Sequence, residues 1–575
     1  MRRVAAVFLL LLLVCLEWSV SPPVYSASLA TQIEAELRVL LEPVPQPGQL
    51  PLGQAQVRLH PSLRDFYSAR GYTPAWVSDQ GEVPLAETLL DALREASAEG
   101  LCPEDYHLDL LASLLRLADD SPRHGLLFDP HWMARLELLL TDAFLWYASD
   151  HLQGRMAFIG LRQQSRREKD GDPAQLLDHA LKRQRLQAAL SDLVPAHPGY
   201  RRLMQQLEQY RQLAVMGGWP KVPSGAVVRP KERDSRVRLL KARLLMTEPV
   251  AVFSGEDPDL LDVPAVRALR AFQKRHGLGA DGVLGPRTLA ELNVSVEERI
   301  RQIELNLERW RWLPKNLEKR YLQVNIADFS LKVVENDQVV MSMPVVVGNE
   351  YRKTPVFSGE MTYLEFAPFW YVPPTILRED KLPIIKRNPG WLKKNHYEIV
   401  SWRGTQEVVD PARIDWKKVN VGNFPGALRM KPGPWNPLGQ VKFMFPNRFS
   451  IYLHDTSERH LFQRRVRLFS SGCIRIERPL DLAQYLLEPQ GVSCAELLDA
   501  VQRDAPLRMT LKRSMPVQLL YWTAWVEPDG MVNFRRDFYL RDLDMETALE
   551  DWRYGGGINS EQILEPAESD QGADR

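Results

Sequence analysis

Hydrophobic residues recur at helical spacing through the first half of this 575-residue chain, and beyond Lys319 the spacing changes to two. The two periods need different partners. An amphipathic helix buries a stripe, whereas a strand buries alternate residues against one side of a sheet. A single core cannot serve both over this length, which corresponds to roughly three to four domains. The chain therefore reads as an α+β multidomain protein.

The segments of the first half differ in kind. Residues 1–27 open with Met1-Arg2-Arg3 and an apolar run, Val4 to Leu16, then small residues around Val24-Tyr25-Ser26. This is the layout of a signal peptide. The run is shorter than the ~20 residues of a spanning helix, and an uncleaved N-terminal anchor remains the alternative. Residues 28–58, with Pro, Gly and Gln toward their end, read as a linker. From 59 to 234 the pattern is that of a helical scaffold domain: Leu85, Leu89, Leu90 and Leu93 share a face, and Gly100 stops the run. In 235–295, Val266, Leu269 and Phe272 line one helix that Gly277 ends, Asp281-Gly282 turns the chain, and Pro286 opens the next helix. Residues 296–318 read as a linking helix with Trp310 and Trp312 near its end.

In the second half, Tyr321–Ile326, Ser330–Val334, Val339–Val347 and Phe357–Phe366 alternate as strands, with Asn336-Asp337 as a hairpin turn. Residues 375–431 break the pattern and are rich in Lys, Trp and Pro, which suggests a functional cap. Trp391, Trp402, Trp416 and Trp435 would roof a groove or form a small core of their own. Gln440–Phe445 and Ser450–His454 restore strands. Arg478-Pro479 starts a helix, and further strands are expected at 509–511, 516–525 and 531–534. Residues 526–554 form a C-terminal extension, and 555–575 a polar, acidic tail of disordered composition.

The chemistry is concentrated in two motifs. His454 ends Tyr452-Leu-His454-Asp-Thr456, and nineteen residues later Cys473 follows in Ser470-Ser471-Gly472-Cys473-Ile474-Arg475. Cysteine reacts as the thiolate, and a neighbouring imidazole is the usual group that generates one. Cys473 thus reads as a nucleophile and His454 as its base. In an exported, mature chain Cys102, Cys473 and Cys494 remain, an odd number that leaves a thiol unpaired. A Cys473–Cys494 disulfide is the bland alternative, although Cys494 in Val492–Leu498 reads as a buried thiol inside a helix. Arg475 could hold a substrate carboxylate, favour the thiolate, or pair with Asp481. Tyr452 lines a pocket or packs in a core. His460 reads as a solvated loop histidine, and Arg464, Arg465 and Arg467 make the same loop basic, which suits an anionic ligand or simply a wet surface. Lys plus Arg equals Asp plus Glu at 73 each, so no basic field points to nucleic acid.

Residues 319–525 resemble an L,D-transpeptidase catalytic domain of the YkuD fold. The first histidine (His454), the Ser470-x-Gly472-Cys473-Ile474-Arg475 turn, Pro344–Gly348, Thr354-Pro355 and Trp370–Pro373 match that family's pattern. Ser471 stands where many members carry a second histidine, and Ala367 where an asparagine is common. Residues 235–295 resemble a three-helix peptidoglycan-binding domain through Phe272-Gln-x-x-His276-Gly-Leu and Asp281-Gly-x-x-Gly285-x-x-Thr288. With the scaffold, the whole order is similar to the large YcbB-type enzymes.

The resemblance implies a β-rich catalytic domain with a capping insertion. It implies thioester acyl transfer from a tetrapeptide stem by Cys473 and His454, release of D-Ala and 3→3 cross-links. Backbone amides of Gly472 and Cys473 would hold the oxyanion, and Tyr452, Ser471 and Arg475 would touch substrate. No metal or nucleotide cofactor is implied. Peptidoglycan stems, and other cell-wall synthases, would be the partners, in the periplasm. Water or a lipoprotein lysine as acceptor would make the same acyl-enzyme a carboxypeptidase, an endopeptidase or an anchoring enzyme. A non-enzymatic reading leaves an inert wall-binding scaffold.

Overall fold

The computed structural model describes residues 28–42, 49–52, 55–120, 129–157, 171–253, 257–401 and 407–554. The expected signal segment and acidic tail lie outside these residues. Among the described residues no helix is long and apolar enough to cross a membrane.

The scaffold gathers around Pro130–Gln153, a 24-residue helix capped by the Asp129 side chain, with proline in its first turn. It is buried from Leu136 to His151 because shorter helices, among them Ala86–Glu95, Pro173–Lys182 and Leu186–Leu193, pack around it. Its buried carboxylate at Glu137 is satisfied inside. The Glu137 carboxylate accepts from the amides of Ala75, Trp76 and Val77 and from the Tyr67 hydroxyl.

The linker expected at 28–58 is corrected here. Leu29–Leu41 is a helix capped by Ser28, and Ile33, Leu37 and Leu41 join the scaffold core. A short hairpin, Gln49–Leu52 with Ala55–Arg58, follows. The Pro/Gly composition of the segment's end masked the i, i+4, i+8 spacing of those three residues.

Three helices, Arg236–Leu245, Val263–Arg275 and Pro286–Leu292, surround the separate core of the small module. Gln273 ties its turn together, donating to Asp281 Oδ1 at 2.9 Å and accepting from Gly282 N at 2.8 Å. His276 is buried and stacked on Phe272 at 3.8 Å.

Val296–Arg311 starts on a Ser295/Glu298 capping box. It is more than a link. Ile303, Leu307 and Trp310 share one core with Leu203 and Leu207 of the scaffold and with Trp522, Ala524 and Phe534 beyond the large sheet.

The β-rich unit is a nine-stranded mixed sheet ordered 468–470, 338–348, 474–476, 453–454, 441–444, 357–366, 507–520, 320–325, 330–335. Strand Gln338–Gly348 also pairs with Ser330–Glu335, which closes the sheet on itself and removes most free edges. Asn336 and Asp337 take φ values of 47° and 64°, as a tight hairpin requires. The strands expected at 509–511 and 516–525 are largely one strand, Leu507–Leu520, irregular between Thr510 and Met515. The insertion forms helical turns and three strands that join Trp370–Tyr371 in a four-stranded sheet, over a core including Ile385, Leu392, Ile399 and Trp416.

Candidate active site

Leu453–His454 lies between Val441–Met444, antiparallel, and Ile474–Ile476, parallel. The parallel register sets Leu453 beside Ile474 and His454 beside Arg475, and Ile474 N donates to Tyr452 O at 3.1 Å. Cys473 therefore sits next to Tyr452, one step from His454. Alternation along the strand places Tyr452 and His454 on the same face, with ring centroids 5.7 Å apart. Cys473 is a half-buried free thiol whose Sγ lies 3.8 Å from Ser450 O, and the neighbouring Tyr452 side chain pulls its pKa down. Ser450 itself holds a left-handed φ of 55°, an uncommon conformation that recurs at functional sites.

The turn carrying Cys473 is tied from both sides. The Ser470 hydroxyl donates to Cys473 O at 2.5 Å and accepts from Gly472 N at 3.1 Å, while Thr354 Oγ1 donates to Gly472 O at 2.7 Å. Gly472 has φ 115°, and a Cβ there would stand 3.3 Å from Ile451 Cδ1, so glycine is required. This arrangement corrects one expectation. The Gly472 amide is buried and already bonded to Ser470, and is not available as an oxyanion donor. The Cys473 amide has no acceptor among the described residues.

His454 Nδ1 lies 2.5 Å from Asp455 O, which makes Nδ1 the protonated nitrogen of a neutral ring and leaves the lone pair on Nε2. Burial, followed by the charges of Arg475 and Lys442, pushes the His454 pKa down to about 3 against the pull of the Asp455 and Pro437 carbonyls. Burial also raises the Cys473 thiol. The Tyr452 backbone and hydroxyl, Lys442 and Arg475 act the other way. The resting pair is a thiol near a neutral imidazole. Lys442 went unnoticed in the sequence. Its Nζ stands 4.0 Å from the Tyr452 ring centroid, and its residue pairs with His454 across the sheet. Only the strand register brings it to the site.

Among the described residues no His, Cys, Asp and Glu cluster is arranged to hold a metal ion.

The family model for the "L,D-transpeptidase catalytic domain" (YkuD) matches residues 319–498. The chain carries an L,D-transpeptidase domain of the YkuD family. Upstream of the transpeptidase domain, models for a "Scaffold domain" and a "Putative peptidoglycan binding domain" match residues 61–207 and 233–292. A Haemophilus influenzae protein named "Putative L,D-transpeptidase" is 33% identical over 259 residues, covering 45% of this chain and 52% of that protein. The chain thus spans about half the length of the curated relative it matches. Solved L,D-transpeptidases from Xylanimonas cellulosilytica and Stackebrandtia nassauensis align over 52% and 51% of this chain, and 98% and 97% of theirs, at 15% and 14% identity. Their TM-scores, 0.17 and 0.20, are too low to carry an argument.

Around the transpeptidase site the other candidates divide. Ser471 is exposed, and its hydroxyl accepts from Arg352 Nη1 at 3.0 Å. Arg352 also grips Glu379 of the insertion, so one guanidinium joins the cap to the catalytic turn. Arg475 pairs with Glu458 and not with Asp481, because Arg478 at the helix start takes Asp481 at 3.4 Å. His460 lies exposed in the turn Arg459–Gln463. Arg467 is no free cation of a wet loop: it donates to Val345 O and Phe329 O. Trp391 stacks on Tyr397 at 4.9 Å and Trp416 is buried in the insertion's core, whereas Trp435 is exposed and stacks on His396. Trp402 falls outside the described residues. Cys494 is corrected as well. Ser493 caps its helix, so the thiol occupies the first helical position and is exposed. Ala367 holds φ 47°, a conformation that favours the asparagine it replaces.

Proposed function

We propose that the chain is an exported peptidoglycan L,D-transpeptidase that forms 3→3 cross-links through a Cys473 thioester. The observation that carries the reading is a thiol set by strand register one position from an imidazole whose Nδ1 is fixed by the Asp455 carbonyl. A tetrapeptide stem presents its diaminopimelate–D-Ala bond to the sulfur. As Sγ attacks the carbonyl carbon, the thiol proton passes to His454 Nε2, and the Cys473 amide receives the developing oxyanion. Such a donor contributes roughly 3–4 kcal/mol in other acyl-transfer sites. Lys442, Arg475 and the Tyr452 hydroxyl favour negative charge on sulfur while the proton is away. The tetrahedral species collapses with cleavage of the C–N bond, His454 returns the proton to the departing D-Ala amine, and the thioester remains. The side-chain amine of a second diaminopimelate then attacks the thioester carbon, loses a proton to His454, and the thiol is restored.

Incubation with a carbapenem is expected to add one drug mass to the protein, and Cys473→Ala to abolish the addition. A persisting adduct in that variant rejects the nucleophile. Muropeptide analysis with purified tetrapeptide decides the acceptor: 3→3 dimers support cross-linking, and tripeptide alone supports hydrolysis.

A further inference from the structure

A cavity of about 480 Å³ lies behind the catalytic turn. Ser471 and Gly472 form part of one wall; Arg309 and Trp312 at the end of the linking helix, and Arg541 of the C-terminal helix Arg541–Tyr554, stand across it. Cys473, His454 and Tyr452 do not line it. Its charge is unbalanced. Four cationic side chains border the space, Arg309, Arg352, Lys353 and Arg541, against one carboxylate, Asp544. Arg309 has Asp542 at 2.6 Å, and Arg352 has Glu379. The other two hydrogen-bond to backbone carbonyls, Lys353 Nζ to Tyr539 O at 2.8 Å and Arg541 Nη2 to Thr354 O at 2.9 Å, and Arg541 also lies over the Tyr521 and Tyr539 rings with the Asp537 carboxylate nearby.

Arg309 is only 3% exposed, yet its Nη2 finds no acceptor among the described residues; the same holds for Arg541 Nη1. Buried guanidinium nitrogens without acceptors are costly, and two of them on the border of one cationic cavity point to an anion. Trp312, Trp522 and Phe449 supply apolar wall beside these charges, which suits an organic carboxylate better than a bare inorganic ion.

We infer that this cavity binds the carboxylate end of a second peptidoglycan stem peptide, at a site separate from the face that holds the reacting one. The inference rests on the proposed substrate class. A hydrogen-bond chain connects the two places: Arg541 donates to Thr354 O, and Thr354 Oγ1 donates to Gly472 O in the residue before the nucleophile.

The test uses the full chain with Cys473 first blocked by a carbapenem, confirmed by mass. Calorimetric titration with the tetrapeptide is expected to show one remaining saturable site. Arg541→Gln and Lys353→Gln, each checked for an unchanged melting curve, are expected to weaken it about tenfold or more. Absence of binding to the blocked protein overturns the inference, as does binding that neither substitution weakens. Free D-alanine binding as tightly as the tetrapeptide overturns the assignment to a stem. Failure of the carbapenem to add at all instead counts against the proposed function, which keeps the two failures apart.

Discussion

Replacing His454 by glutamine separates two ways in which Cys473 can react. In the resting protein burial raises the thiol and holds His454 near a pKa of about 3, so neither group is charged at pH 7. With the imidazole present, sulfur attack and proton transfer occur together. The rate then depends on a neutral pair and stays flat from about pH 5 to 8. Without the imidazole only the thiolate attacks. An ordinary thiol near pKa 8.5 is about 3% ionised at pH 7, and Cys473 lies on the high side of that. His454→Gln is therefore expected to slow carbapenem acylation at least about 30-fold at pH 7, with the rate recovering about tenfold per pH unit up to the thiol pKa. Because the lost imidazole was uncharged, its removal leaves the fields of Lys442 and Arg475 on the sulfur in place. Stopped-flow acylation from pH 5 to 9, with thiolate ultraviolet absorbance as a second readout, checks this. A thiolate signal already present in the wild-type protein at pH 6 would refute the neutral-pair argument. So would a flat profile in His454→Gln.

Gly472→Ala forces a side chain onto φ 115° and toward Ile451; a loss of at least about 1–2 kcal/mol in thermal melts, with acylation slowed more than tenfold, is expected. Arg352→Ala releases both Ser471 and Glu379, and amide exchange in Leu377–Lys381 should accelerate. Glu99, buried and accepting from the Tyr147 hydroxyl at 3.1 Å, is pushed up to about 7 by burial. Its folded-state pKa exceeds the unfolded value near 4.3, so the stability it contributes is complete below about pH 4 and is lost as pH rises through 7, up to about 3 kcal/mol. Denaturant melts at pH 5 and pH 8 should show that decline, and Glu99→Gln should flatten it.

What could be read in the sequence was local. The Asn336-Asp337 hairpin, the Gly277 helix stop and the Ser470–Cys473 turn each follow from a few adjacent residues whose backbone preferences leave little choice. What escaped was set by register and packing. Lys442 reaches the site because Val441–Met444 pairs with Leu453–His454 in one alignment, and shifting that alignment by one residue would turn Lys442 to the other face. The Gly472 amide is taken by the Ser470 hydroxyl, which closes the turn; the motif names Ser470 without showing which group it bonds. In the small module, Gln273 and His276 of the recognition motif are consumed in holding the turn and stacking on Phe272, so a motif that identifies the domain does not by itself mark a ligand surface.

The linking helix gives the clearest case of a segment whose sequence understates its task. Its amphipathic pattern shows that one face is buried, but not against what. Trp310 stacks on Trp522 at 4.4 Å, Asn306 donates to Thr523 Oγ1 at 2.8 Å, and Arg311 donates to the Tyr200 hydroxyl at 3.1 Å. The same helix therefore fastens to the chain leaving the central strand Leu507–Leu520 and to the scaffold. That chain continues through Tyr539, whose hydroxyl donates to Gly348 O, and Arg541, which holds the Thr354 that grips Gly472. The position of the Cys473 turn thus depends on contacts made by residues 296–311 and 521–541, outside the turn itself. A catalytic fragment ending at residue 498 would keep Cys473 and His454, and would lose the strand Leu507–Leu520, the Tyr539 and Arg541 supports and the far wall of the cavity behind the turn.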